Sequence, residues 1–448
     1  MPNTGRTRLL NASSGRRSIR IGIISTMAGH PWGGSEELWA ATALEALDAG
    51  HEVFVSVHGW TDKAPKLREL ERRGANILYR HNPAYLAQGA SFFAGSSYRD
   101  LFKTNPDVIL INQPSSYGFF IDSDLLELLY VTPIPFVLVC QCNENLPFLT
   151  DDCQREHARN IFSRAFRALF VSNQNRNEAE RQLAMKIPNS DLVLNPVNLS
   201  DRSYVPWPES RTARLASVAR LEVMSKGQDV LLEALSADQW RQRDWQLTLY
   251  GSGPDESYLR ALVEFYGLQE RITFAGHQSD VRGIWAREQL LVMFSRAEGT
   301  PLALVEAMLC GRPAIVSDAG GNQEWIIEAQ TGFVTEAPVV GLARAALERA
   351  WSALQNWQAM GHQAHKFATA RINGSSIPGL LDVLLEASRH ERPAGAATSE
   401  EPKRLKLYRG LREHATHVAQ VGVLYLRNFV VRRRAARLRS LLRLAEPR

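Results

Sequence analysis

Short aliphatic runs that end in small residues, each followed by a helix-forming stretch, recur along this chain in two series. The first run is Ile19-Arg20-Ile21-Gly22-Ile23-Ile24-Ser25. A run that is apolar throughout, without alternation, fits a strand buried on both faces of a parallel sheet. The loop from Met27 to Ser35 follows and carries Gly33 and Gly34. Ser35 is placed to cap a helix with Glu36 and Glu37 in its first turn, ending near Gly50 before a strand at residues 51–57. Strand, glycine loop, helix and strand make a right-handed βαβ unit. Apolar runs at 108–111, 136–139 and 169–171 continue the series.

Around residues 195–208 the sequence NPVNLSDRSYVPWPES turns rich in Pro, Ser and Asn and reads as an interdomain linker. A second series then opens, with strands at 215–218, 246–250, 272–274, 290–294 and 314–317 and helices such as 228–235 and 302–310. The expected architecture is α/β: two Rossmann-like, doubly wound domains facing across a cleft. Residues 19–200 form the first domain and 209–388 the second. A disordered basic arm (1–18) precedes them, and a linker with a basic, amphipathic helical tail (389–448) follows. In such sheets ligands bind outside the carboxyl ends of the strands.

Composition narrows the class. With 45% hydrophobic and 22% charged residues the chain is neither disordered nor a small disulfide-stapled scaffold. Four cysteines in 448 residues make no disulfide framework, which points to a reducing compartment. No apolar run reaches the roughly 18 residues of a spanning helix, and the basic start lacks the apolar core of a secretion signal. A cytoplasmic protein is expected. The net charge of +5 is unevenly spread: residues 403–448 hold 13 Lys/Arg against two Glu, so the rest of the chain is mildly acidic. An anionic partner is therefore expected for the tail alone.

The chemistry concentrates at strand ends of the second series. From Ser295 to Met308 a strand closes, a turn with Gly299 follows, and a helix begins near Pro301, a favoured first helical position. Free N–H groups at that start suit an anion or sugar hydroxyls. Glu298 lies in the loop and Glu306, eight residues on, inside the helix. Together they can accept hydrogen bonds from two parts of one elongated polyhydroxy ligand; alone they are a turn Glu and a solvated helix Glu. Arg220 follows an earlier strand and Lys226 precedes a helix, so a guanidinium fork and a point charge stand at the same edge, where phosphate oxygens could bind. Gly251 and Gly253 close the next strand, and Gly320 and Gly321 another. It is the agreement of every strand end that singles out this domain.

These residues resemble a retaining glycosyltransferase of the GT-B fold, specifically glycosyltransferase family 4, over about residues 19–385. The features that match are Gly33-Gly34-Ser35-Glu36, Arg220 with Lys226-Gly227, Gly251-Ser252-Gly253-Pro254, the Glu298/Glu306 pair, and Gly320-Gly321 with Glu324. The resemblance implies an acceptor domain first and a nucleotide-sugar donor domain second. Arg220 and Lys226 would bind the donor diphosphate and stabilise the leaving group. Glu298 would hold the transferred sugar with backbone groups of Gly299, Thr300, Pro301 and Leu302, and Glu306 the ribose. Gly33 and Gly34 would approach the pyrophosphate on domain closure, and the base would sit near His277 and Gln278. No metal and no cofactor beyond the nucleotide-diphosphate sugar is implied. The implied reaction is front-side, retaining transfer of a sugar to a glycan or lipid-linked acceptor in cell-surface polysaccharide or glycoconjugate biosynthesis.

One position departs from the family. Where a histidine often touches the transferred sugar, the stretch 135–143 places Gln141, which can exchange hydrogen bonds but cannot become a cation. A change in sugar or acceptor handling is the reading taken. Weaker signals resolve to structure: Asp122-Ser123-Asp124 reads as a helix cap rather than a metal motif, and Cys140, Cys142, Cys153 and His157 as packing residues. The stretch 418–431, flanked by arginines, would either lie in an anionic membrane surface, making the protein peripheral, or dock on protein. No nucleic-acid module is recognised. The rival functions are an inactive GT-B scaffold recruiting a partner through its tail and a nucleotide-sugar epimerase.

Overall fold

Two parallel sheets, each with helices on its faces, follow from the two series of apolar runs. The computed structural model describes residues 17–390 except 62, 82–94, 121, 144–148, 150, 198 and 374–376. The basic arm up to residue 16 and the whole tail, with the membrane expectation attached to it, lie outside the described residues. In the first sheet the strands are β1 (Arg20–Ser25), β2 (Glu52–His58), β3 (Asn76–Arg80), β4 (Val108–Gln113), β5 (Phe136–Cys140), β6 (Arg167–Phe170) and β7 (Ser190–Leu192), ordered β3-β2-β1-β4-β5-β6-β7. The second holds β8 (Ala213–Val218), β9 (Trp245–Tyr250), β10 (Ile272–Gly276), β11 (Leu290–Met293), β12 (Ala314–Ser317) and β13 (Gly332–Thr335), ordered β10-β9-β8-β11-β12-β13.

Strand order reverses beside β1 in one sheet and beside β8 in the other, so β1/β4 and β8/β11 are switch points where loops diverge and open a crevice. Ile21, Ile23, Val108 and Leu110 in the first domain, and Leu215, Leu247, Leu290 and Val292 in the second, are buried. This is the double-sided burial that made their strands legible.

Three local expectations are corrected. Gly33, not Ser35, occupies the N-cap of the first helix (Gly34–Asp48), with extended backbone and no capping side chain. Pro301 likewise stands at the N-cap of the helix Leu302–Leu309, one position before the expected one. The last described helix, Leu380–Ala387, was grouped with the second domain by sequence. Its Leu380, Leu381, Val383 and Leu384 instead pack into the first domain's core beside Val108 and Val137. Its apolar face needs a sheet to cover, and the first domain offers one.

The linker is fastened along its length. Arg312 is fully buried, and its guanidinium donates to the carbonyls of Val205 (3.0 Å), Pro206 (2.7 Å), Cys310 (2.8 Å) and Gly311 (3.1 Å), with Trp285 and Glu288 taking its remaining N–H groups. A buried charge is tolerable only when so fully hydrogen-bonded.

Candidate active site

The carboxyl ends of β8, β9, β11 and β12 bring the expected donor residues together. Lys226 ends the short helix Val223–Lys226, and Gly227, in left-handed conformation, starts the next helix, Gln228–Leu235. The Lys226 Nζ lies 2.8 Å from Glu298 Oε1, so the loop after β11 and the loop after β8 meet through this pair. Arg220 Nη2 donates to Glu222 Oε2 at 2.5 Å, while its buried Nε has no acceptor among the described residues. Arg296, which sequence reasoning passed over, braces the loop: it grips Asp229 with two hydrogen bonds (2.7 and 2.8 Å) and reaches the Val223 carbonyl. An Arg at a strand end carries no periodic signal, and only its pairing shows its role.

Glu306 lies in the second turn of the helix Leu302–Leu309 and is 9% exposed. Among the described residues nothing hydrogen-bonds or ion-pairs with its carboxyl. Burial alone pushes its pKa up to about 7. The N–H groups of Gly299 and Thr300 also have no acceptor among the described residues. The Thr300 hydroxyl, by contrast, is taken: it donates to the Val171 carbonyl of the first domain at 3.0 Å.

The glycines divide between two jobs. Gly251 and Gly253, donor-binding positions by the resemblance, permit a close backbone approach. A Cβ on either would strike the chain itself, 2.0 Å from the Ala219 oxygen and 2.3 Å from the Leu221 oxygen. They let the Arg220 loop lie down on the β9 loop, where Leu221 N donates to Ser252 O. At Gly299 a Cβ would stand 1.8 Å from the Gln141 carbonyl oxygen, so here the two domains approach each other. Gly34 faces the same way, with Leu302 3.3 Å from its Cβ position, while Gly33 has room around it. His277 and Gln278 are exposed beyond β10. Gln278 Nε2 donates to the Ala275 carbonyl.

Across the cleft, Glu324 accepts from Gln174 N (3.1 Å) and Asn173 Nδ2 (3.3 Å) at the start of the first-domain helix Asn173–Leu183, and from Arg371. A carboxylate suits a helix N-terminus. Gln141 is 3% exposed and held on both sides of its carboxamide, by Asn112 (3.0 Å) and Asn195 (2.8 Å). His30, in the first-domain glycine loop, is close enough to feel both Arg220 and Glu222; burial and then Arg220 lower its pKa. Asp122 caps its helix as expected, accepting from Asp124 N at 2.8 Å, and His157 is engaged by the Tyr130 hydroxyl. Among the described residues no group of His, Cys, Asp or Glu is arranged to hold a metal ion.

Residues 208–366 match the family described as glycosyl transferases group 1. The fold matches solved structures over most of its length. HepE of Anabaena, solved with UDP, superposes with a TM-score of 0.61 at 18% identity, covering 83% of this chain and 99% of that one. The chain has the GT-B fold, and its second domain is similar to group 1 glycosyl transferases. Curated relatives match over shorter stretches. An uncharacterized glycosyltransferase of Haemophilus influenzae is 28% identical over 163 residues, 36% of this chain and 45% of the relative. N-acetyl-alpha-D-glucosaminyl L-malate synthase of Bacillus anthracis is 34% identical over 106 residues, 23% of this chain and 28% of the relative. The chain thus spans less than half the length of either curated relative. In this GT-B protein the matched stretch contains Arg220, Lys226, Glu298 and Glu306, whereas Gly33, Gly34 and Gln141 lie outside it.

Proposed function

We propose that this GT-B protein is a retaining glycosyltransferase of family 4 that moves a sugar from a nucleotide-diphosphate sugar to a glycan or lipid-linked acceptor, without a metal, in polysaccharide biosynthesis. The observation that carries the reading is Glu306, a buried carboxyl with no partner among the described residues, in the helix that follows the unpaired N–H groups of Gly299 and Thr300 and eight residues beyond Glu298 of the Lys226–Glu298 pair. A buried acceptor is costly until something donates to it, and a ribose diol offers two donors. Lys226 and Arg220 would exchange their carboxylate partners for diphosphate oxygens, the unsatisfied Arg220 Nε supplying one further donor. As the bond to the anomeric carbon breaks, charge gathers on the departing diphosphate, and these fixed cations favour that state over the ground state. Glu298, released from Lys226, would accept from the transferred sugar. Among the relatives, a Vi polysaccharide biosynthesis protein of Salmonella typhi, 37% identical over 102 residues, supports the polysaccharide setting. HepE was also solved with UDP-glucose, which supports a nucleotide-sugar donor.

Purified protein screened against UDP-, GDP- and ADP-sugars tests this, by thermal shift and by donor hydrolysis with and without Mg²⁺. A stabilisation by one nucleotide that is lost in Arg220→Ala, with metal-free hydrolysis lost in Glu298→Ala, is the expected result. Silence across the panel would sink the reading and favour an inactive scaffold.

A further inference from the structure

A line of buried side chains runs along the carboxyl edge of the first sheet. Asn195 Nδ2 donates to Gln141 Oε1 (2.8 Å), Gln141 Nε2 to Asn112 Oδ1 (3.0 Å), and Asn112 Nδ2 to Glu36 Oε1 (3.0 Å) and to the Ser35 carbonyl (3.1 Å). Glu36 Oε2 in turn accepts from Ser25 Oγ (2.7 Å) and Trp39 Nε1 (3.0 Å). All four members are buried: Glu36 3%, Asn112 0%, Gln141 3% and Asn195 7% exposed.

Three carboxamides in a row could point either way along such a line. The Ser35 carbonyl removes the choice. It has no proton to give, so Asn112 must present its NH₂ to it and to Glu36 and turn its oxygen outward. Gln141 must then donate to that oxygen, and Asn195 to Gln141. The sense set at Ser35 therefore emerges at the far end as an oxygen. Asn195 Oδ1 is buried and has no donor among the described residues. A buried acceptor so placed costs about 1–3 kcal/mol until it is satisfied.

Gln141, the neighbour of the open end, is also the residue whose main-chain carbonyl oxygen meets Gly299 of the donor loop. The chemistry of the open end is selective. Ionised phosphate oxygens carry no proton and cannot serve Asn195 Oδ1, whereas a sugar hydroxyl or an N-acyl N–H can.

We propose that Asn195 is a specificity-determining residue for the transferred sugar: its carbonyl oxygen accepts a hydrogen bond from a sugar hydroxyl or N-acyl group, and Asn112, a positioning residue fixed by the Ser35 carbonyl, holds it in that sense through Gln141. This rests on the cleft being a nucleotide-sugar site. It assigns Gln141 a narrower part than its sequence suggests: its oxygen and one N–H are committed within the line, leaving one N–H to face a ligand.

Calorimetric titration of the full chain tests the proposal. Each variant receives the free nucleoside diphosphate and the matching nucleotide sugar found in the donor screen. Asn195→Ala and Asn112→Ala should each weaken the nucleotide sugar about tenfold and leave the free diphosphate within twofold of the parent protein. In Asn112→Ala the line loses the side chain whose donation to the Ser35 carbonyl sets its sense. The double variant should be no weaker than Asn195→Ala, because both changes act on one line. Equal affinity of Asn195→Ala for the nucleotide sugar overturns the proposal, and so does an equal loss for both ligands, which marks a merely structural role. Should Asn112→Ala fail to fold, Asn195→Ala decides alone. A parent protein that binds no nucleotide sugar overturns the glycosyltransferase reading itself, an outcome distinct from unaffected variants.

Discussion

Lys226 and Glu298, 72 residues apart, meet at 2.8 Å, with the carboxylate only 7% exposed. Each neutralises the other at the edge where the donor is proposed to bind. On the proposed reading the pair would act as a placeholder, keeping a cation and a carboxylate at low cost in a half-dry site until a diphosphate claimed one and a sugar the other.

Removing one partner should therefore hurt stability more than removing both. Lys226→Ala leaves Glu298 buried without its counter-ion and should cost about 2 kcal/mol, a partly buried case of the penalty for an orphaned charge. Lys226→Ala with Glu298→Gln should recover most of that. Chemical denaturation of the single and double variants measures the difference; equal losses would show the pair to be energetically idle.

Glu306 sets a pH signature. With its pKa at about 7 against an ordinary 4.5, the folded protein binds more protons than the unfolded chain between those values. Stability contributed by this group therefore falls as pH rises through that window, by up to about 3 kcal/mol, and is level above it. Glu306→Gln should flatten that slope. If the ribose donates to the carboxylate, nucleotide affinity should rise with pH up to about 7. Denaturation and nucleotide titrations at pH 5, 6, 7 and 8 in both proteins read the two effects separately.

Gly299→Ala should act on the approach of the domains rather than on their folding. The added methyl would stand 1.8 Å from the Gln141 oxygen, a distance no relaxation of a side chain can relieve. We expect a larger radius of gyration in small-angle scattering and a loss of donor turnover of at least about tenfold, with nucleotide binding to the second domain kept. Unchanged scattering and turnover would mean that the two loops separate in the working cycle.

Arg312→Met should be severely destabilising, by about 3–5 kcal/mol, because several buried carbonyls lose their donor together. Arg312→Lys should rescue little, since one ammonium cannot reach carbonyls spread around a planar fork. Urea midpoints of the three proteins decide it; a Lys variant as stable as the parent would show that charge alone suffices.

How much of this was legible depends on how local the physics is. The strand at 314–317 is read to the residue, and most others to within one or two, because a strand buried on both faces must be apolar throughout and announces itself in four or five positions. The candidate donor loops were legible for a related reason: Arg220, Lys226, Glu298 and Glu306 sit at fixed offsets from such strands, so locating the strands located them. The Ser35 cap failed because extended glycine can hold an N-cap without a side chain, and propensity does not say which of three neighbours will take that position.

What only the tertiary structure decided is where single polar residues find partners. Nothing about Asn112, Asn195, Arg296 or Arg312 in the sequence sets them apart from solvated ones, since a lone polar residue has no period. Their roles come from contacts between segments dozens to more than a hundred residues apart. The same holds for the last described helix, whose apolar face was evident but whose choice of sheet was not. Apolar burial is written along the chain by repetition; hydrogen-bond partners and the packing of whole elements are fixed only when distant segments meet, because those interactions are directional and need both ends in place.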